Sequence, residues 1–112
     1  MQKKFLVIND DPQILKLYRK LNNPDMVVVE CHTVEETLAA ITEYHPEIIF
    51  LDHNLGPEKD EGLQVAKLVK DNVRIISITS DPAMAPEYEE LGIEMLGSPF
   101  DKQKIDLIIS QS

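Results

Sequence analysis

The run Ile48-Ile49-Phe50-Leu51-Asp52 decides how the chain is to be read. Four apolar residues in succession, ended by a carboxylate, suit a strand covered on both faces, because a strand with one wet face alternates apolar and polar positions. Strands of that kind belong to parallel sheets. Working outward, four similar runs are present: Phe5-Leu6-Val7-Ile8, Met26-Val27-Val28-Val29, Val73-Arg74-Ile75-Ile76-Ser77-Ile78 and the short Ile93-Glu94-Met95-Leu96. Each run is followed by a segment with helical spacing. The stripes are Ile14, Leu15, Tyr18 and Leu21; Val34, Leu38 and Ile41; Val65, Leu68 and Val69 with Leu63 and Ala66; Met84, Tyr88 and Leu91; and Ile105, Ile108 and Ile109. The order βα is thus repeated five times. Right-handed crossovers then place the helices on both faces of one sheet.

Local punctuation agrees with this parsing. Pro12 stands near the start of the first helix, Thr33 with Glu36 forms a capping-box pattern, and Gly92 follows the stripe that ends at Leu91. Pro24, Pro46 and the Asn22-Asn23 pair mark connections. The polar loop from Gly56 to Gly62 is the longest interruption. A chain of 112 residues has room for one continuous core, so a single domain over residues 1–112 is expected, with no effector domain and with output through another protein.

Composition narrows the function. Twenty acidic against eleven basic residues give a formal charge of −9, which opposes an electrostatic grip on nucleic acid or an anionic membrane. Apolar runs of about four residues are far below the roughly 20 needed to span a bilayer. Cys31 is the single cysteine, so no internal disulfide is available and a reducing, cytoplasmic setting is the simpler expectation. Its position after a valine-rich strand reads as a buried small hydrophobe. His32, His45 and His53 lack partners at zinc-binding spacings, and His53 stands out only because it adjoins Asp52. Neither a GxGxxG stretch nor a GxxxxGK[ST] loop is present.

The chemistry concentrates at strand ends. Asp10 and Asp11 follow the first strand, Asp52 the third, and Thr79 with Ser80 the fourth. In a parallel sheet these positions share the carboxyl-end rim, where open α/β sheets bind ligands. Clustered carboxylates resist ionisation unless a cation or protons join them, and Mg2+ accepts oxygen ligands while leaving positions for phosphate oxygens. Asn54, two residues beyond Asp52, is placed to offer its backbone carbonyl to such an ion. Asp10 also reads as an Asx turn or helix cap, since Asn9-Asp10-Asp11-Pro12 is good capping material.

Taken together these residues resemble the receiver domain of two-component response regulators along essentially the whole chain. The resemblance implies a flavodoxin-like (βα)5 doubly wound parallel sheet with strand order 2-1-3-4-5. It further implies Mg2+ held by Asp10, Asp11, Asp52 and the Asn54 carbonyl, with Asp52 as phosphoacceptor and Thr79 as the switch hydroxyl beside Ser80. Gly62 matches the family's glycine at the start of the third helix. In place of the family's Lys-Pro-Phe, this chain has Ser98-Pro99-Phe100, which removes a cation from the phosphate-contact position while leaving a hydroxyl. A cis bond before Pro99 is what the resemblance implies. The output-face position that usually carries a rotating aromatic is Met95. Thr79 and Ser98 are 19 residues apart, a shortened interval in which Pro82 and Pro86 limit the fourth helix to about two turns.

Two functions follow as expectations. One is a phosphoacceptor in a phosphorelay, served by a histidine kinase or phosphotransfer protein and passing its signal to a separate downstream protein. Its enzymatic activity would amount to Mg2+-dependent self-phosphorylation and self-dephosphorylation. The alternative is a phosphorylation-independent adaptor that binds a kinase or another signalling protein, motivated by Ser98 and Met95. For docking, Gln13, Leu15 and Tyr18 are candidates for exposure on the first helix, and Leu15 and Tyr18 equally complete a core stripe.

Overall fold

A computed structural model describes residues 3–53, 61–79 and 82–112. Asn54, Ser80 and most of the polar loop before Gly62 lie outside the described residues. The elements run β1 (Phe5–Asn9), α1 (Pro12–Arg19), β2 (Met26–Glu30), α2 (Val34–Tyr44), β3 (Ile48–Leu51), α3 (Glu61–Val69), β4 (Arg74–Ser77), α4 (Ala85–Glu90), β5 (Glu94–Met95) and α5 (Lys102–Ser110), with a 3-10 turn at Pro82–Met84 leading into α4. All pairings are parallel and the sheet order is β2-β1-β3-β4-β5. This is the flavodoxin-like (βα)5 arrangement, and it puts the ends of β1 and β3 side by side.

The apolar runs divide between two cores because successive side chains of a strand point to opposite faces. Leu6, Ile8, Ile49, Leu51 and Ile75 pack on the face that also receives Ala40 of α2, Val65 and Ala66 of α3, and Tyr88 of α4. Phe5, Val7, Ile48, Phe50, Ile76 and Ile78 pack on the face covered by Leu15 and Tyr18 of α1 and Ile105 of α5. Leu15 and Tyr18 are therefore core residues, while Gln13 is exposed. Cys31 is buried as well.

Helix ends follow the local chemistry. Thr33 Oγ1 accepts the Glu36 N–H at 3.0 Å, and Glu36 Oε1 in return accepts the N–H of His32, one residue earlier than a standard box. Gly92 takes a positive φ of 73° just past α4. Among the described residues, two left-handed positions carry no glycine signal: Asn22 and His45, the latter ending α2 with its N–H donating to the Ile41 carbonyl. At six residues, α4 is as short as its prolines suggest.

Candidate functional site

At the carboxyl rim of the sheet the structure gathers Asn9, Asp10, Asp11, Asp52, Thr79 and Pro99 around an open cleft of about 210 Å³. Register explains the convergence. Ile8 pairs with Leu51 and Leu51 with Ser77, so the residues that leave β1, β3 and β4 stand at nearly one height. Asp52 extends that ladder by donating its N–H to the Ile8 carbonyl at 3.0 Å.

The acidic residues are not equivalent. Burial pushes the Asp52 carboxyl up to about 7, an effect increased by the charges of Asp10 and Asp11 and opposed by the His53 N–H. Asp10 is raised in the same direction, again mainly by burial. Asp11 has a structural duty: as N-cap of α1 its Oδ1 accepts the Gln13 N–H at 2.9 Å. The Asp11 N–H is in turn held by Asn9 Oδ1 at 2.9 Å. Asn9 is buried at the end of β1 and lines the cleft, a role that the sequence reading does not include. Its one sequence signal is a polar residue that closes an apolar run immediately before the acidic pair.

A divalent cation suits this donor set. Among the described residues, His, Cys, Asp and Glu side chains do not by themselves form a three-ligand metal cluster. Mg2+ does not need one, since it keeps several waters and takes one or two carboxylates together with phosphate oxygens. Asp52, held near neutrality by burial and by two acidic neighbours, is the group whose ionisation such a cation would favour.

The segment beyond β5 departs from expectation. The Ser98–Pro99 bond is trans, not cis, and no cis peptide occurs among the described residues. Trans is the lower-energy isomer of an X–Pro bond by about 0.5–1 kcal/mol, and other devices make this turn. Gly97 adopts φ 88°, and Ser98 Oγ donates to the Phe100 carbonyl at 3.1 Å. Ser98 does not line the cleft, whereas Pro99 does. Met95 is half-buried and packs against the core cluster that contains Tyr88.

Tyr18 holds this segment in place. Its hydroxyl donates to the Pro99 carbonyl at 2.8 Å, and its ring packs on Phe50 and edge-on to Phe100 at 5.0 Å. Burial, and secondarily the charge of Asp52, shifts the phenol upward, so it stays protonated and donating. Tyr18→Phe is expected to cost about 1.5 kcal/mol by stranding a part-buried carbonyl. Urea denaturation checks this, and a loss below a few tenths of a kcal/mol would show that water replaces the bond.

The neighbour of Asp52 points elsewhere: His53 is buried and hydrogen-bonded through Nδ1 to the Tyr88 hydroxyl at 2.7 Å. It does not line the cleft.

Fold, rim carboxylates and strand-end hydroxyl together define a receiver-type α/β domain, and comparison agrees. The sequence profile of the response regulator receiver domain matches residues 5–110, so the chain belongs to that family, the receiver domains of two-component phosphorelay signalling. Three solved structures illustrate the likeness in fold. The Mg2+–BeF complex of the response regulator TrrA from Thermotoga maritima is 21% identical, with TM-score 0.77 and 98% coverage of both chains. The chemotaxis protein CheY4 of Vibrio cholerae is 20% identical, with TM-score 0.76, covering 99% of this chain and 98% of that one. The BeF3-activated receiver domain of Klebsiella pneumoniae RstA is 21% identical, with TM-score 0.74 and coverage of 97% and 96%. No curated protein matches the chain in sequence. No helix among the described residues is long and apolar enough to cross a membrane.

Proposed function

We propose that the chain is a phosphoacceptor receiver domain that takes a phosphoryl group on Asp52 from a histidine kinase or phosphotransfer protein. The observation that carries this reading is the placement of Asp52 at the end of β3, in one cleft with Asp10 and Thr79, in a chain of the receiver family. The fluoroberyllate complexes of TrrA and RstA, a phosphoryl-like group in related folds, support it.

In the proposed reaction an oxygen of ionised Asp52 attacks phosphorus as the donor's P–N or P–O bond breaks, and the leaving group keeps the electron pair. Asp10, Asp11 and Asp52 are the carboxylates that would hold Mg2+, with Asn54 adding its backbone carbonyl, and Asp11 caps α1 through Oδ1 as well. When bound there, the cation would supply charge neutralisation for the transferring group. Thr79, which lines the same cleft, would donate its hydroxyl to a phosphoryl oxygen. Ser98, whose hydroxyl is engaged by Phe100, contributes no charge there, which makes slow phosphorylation the expected behaviour.

Intact-mass measurement after incubation with acetyl phosphate, with and without Mg2+, tests the proposal. The wild-type chain is expected to gain one phosphoryl group only with Mg2+, and Asp52→Asn to gain none. Equal labelling of Asp52→Asn would move the acceptor elsewhere. If neither acetyl phosphate nor a kinase labels the wild type, the adaptor reading takes its place.

A further inference from the structure

The sheet ends in two unlike edges. β5 offers only Glu94 and Met95 on one side, whereas β2 presents five residues on the other. In a parallel ladder every second residue of a strand bonds to the same neighbour. The Phe5 N–H donates to the Asp25 carbonyl and the Cys31 N–H to the Asn9 carbonyl, so the odd-numbered residues of β2 face β1. Met26, Val28 and Glu30 therefore turn their backbone N–H and C=O groups outward.

The two ends of this outward row are closed. The Met26 N–H donates to the Asn23 carbonyl at 3.1 Å, and just past the strand the His32 N–H donates to Glu36 Oε1 at 3.0 Å. The middle is open. Among the described residues no side chain or turn meets the N–H groups of Val28 and Glu30, and the Val28 carbonyl has only a long 3.5 Å contact from Arg19 Nη2. Edge strands are ordinarily sealed by proline, a bulge, an inward charge or a covering element, and a contact this long is easily displaced.

Neither covering helix closes over the edge. A groove of about 310 Å³ lies between β2 and the end of α1, lined by Arg19, Asn22, Met26 and Val28 among others. Another of about 270 Å³ lies between β2 and α2, where Glu30, Glu36, Ala39 and Glu43 line it. Met26 and Val28 pack into the core under α1, and Val27 and Val29 into the core under α2, so the grooves flank the strand on opposite faces. Their charges are opposite too. Arg19 is the charged group of the first, and glutamates supply the charge of the second. Glu30 and Glu36 are engaged by His32, while the ion pairs of the described residues include neither Arg19 nor Glu43.

We infer that the β2 edge accepts an extended segment of another protein as a sixth strand, with acidic side chains toward α1 and basic ones toward α2. Side chains of an added strand alternate between the two faces, so its acidic positions meet Arg19 and its basic positions meet Glu43. Backbone bonds to Val28 and Glu30 attach the segment, and the period-2 alternation of charge selects it. A second copy of this chain is the wrong occupant. Two β2 edges paired antiparallel are related by a twofold axis normal to the sheet, which sets Arg19 groove beside Arg19 groove and Glu43 groove beside Glu43 groove, like charge against like. The inference does not depend on the chemistry of Asp52.

Two end-blocked peptides of equal glutamate and lysine content serve as probes, one alternating Glu-Lys and the other ordered Glu-Glu-Lys-Lys. Both are neutral overall, and only the first sorts its charges by face when extended. The alternating peptide is expected to bind about tenfold more tightly in calorimetric titration. At saturation the Val28 and Glu30 amides are expected to exchange about tenfold more slowly, while those of Val27 and Val29, already bonded to β1, change less than twofold. Arg19 and Glu43 are exposed, so charge reversal leaves the core intact. Arg19→Glu and Glu43→Lys are each expected to weaken the alternating peptide about tenfold. The double variant is expected to recover it to within twofold of wild type, because the peptide turns over and shifts by one residue to meet the exchanged charges. Equal affinity for the two peptides, no binding of either at millimolar concentration, unchanged exchange at Val28 and Glu30, or a double variant no better than the single ones overturns the inference. Protection of those two amides that rises with protein concentration in the absence of peptide would assign the edge to self-association and overturn it as well.

Discussion

Gly62→Ala is expected to destabilise the domain by roughly 3 kcal/mol or more, the largest effect of an added methyl group at any of the described glycines. An added Cβ would collide with the Asp52 carbonyl oxygen and stand 2.6 Å from His53 Cα and 2.9 Å from the Asp52 carbonyl carbon. All three are backbone atoms, tied into the ladder by Asp52 N–H to Ile8 and into α3 by Gly62 N–H to His53. No side chain can swing aside to make room. Relief requires α3 to retreat from the end of β3, which would also disturb the atoms that carry the proposed acceptor. Gly92→Ala is the natural comparison, because nothing lies within 4 Å of its would-be Cβ and only its φ of 73° is costly. That backbone penalty is about 1 kcal/mol. Urea denaturation of the two variants separates collision from backbone strain, and equal losses would refute the packing argument.

Asp52→Asn is expected to stabilise the metal-free domain at pH 8 by about 2 kcal/mol, roughly 8 °C in Tm, while abolishing phosphorylation. Burial holds the folded carboxyl up at about 7, against an ordinary carboxyl value of 3.8. Between those values the folded protein holds a proton that the unfolded chain has lost, so stability falls as pH rises through the window and levels off above about 7. The full interval corresponds to roughly 4 kcal/mol at about 1.36 kcal/mol per pH unit, and the partial access of Asp52 to water screens about half of it. Asparagine has nearly the same volume and no charge, so its pH profile lacks that decline. The difference between the two profiles is the measurement. Identical profiles from pH 4 to 8 would show that Asp52 ionises normally in the folded state. Mg2+ is expected to recover stability in wild type at pH 8 and not in the variant, since binding to the folded state alone stabilises it.

The surroundings of Asp52 therefore work against its ionisation, and a cation is the economical remedy. The two variants also address separate features of the same few atoms. Gly62 governs where the Asp52 backbone sits, and the carboxylate governs what charge is carried there.

Five βα units, the burial of Cys31, the short fourth helix and the shared rim of Asp10, Asp52 and Thr79 can be read from the amino-acid order alone. Each depends on a local regularity: consecutive apolar residues for a doubly covered strand, helical spacing for a covering helix, and a polar residue where a strand stops. Other features are legible only with the chain folded. Asp11 is an N-cap as well as a rim carboxylate, Asn9 is a buried rim residue, and the Ser98–Pro99 bond is trans. Leu15 and Tyr18 face the core, and Tyr18 reaches Pro99 across 81 positions of sequence. His53 turns from Asp52 to meet Tyr88, 35 positions away. No periodicity encodes such pairs, because they arise where elements from different βα units meet and each side chain takes the hydrogen-bond partner that packing leaves beside it.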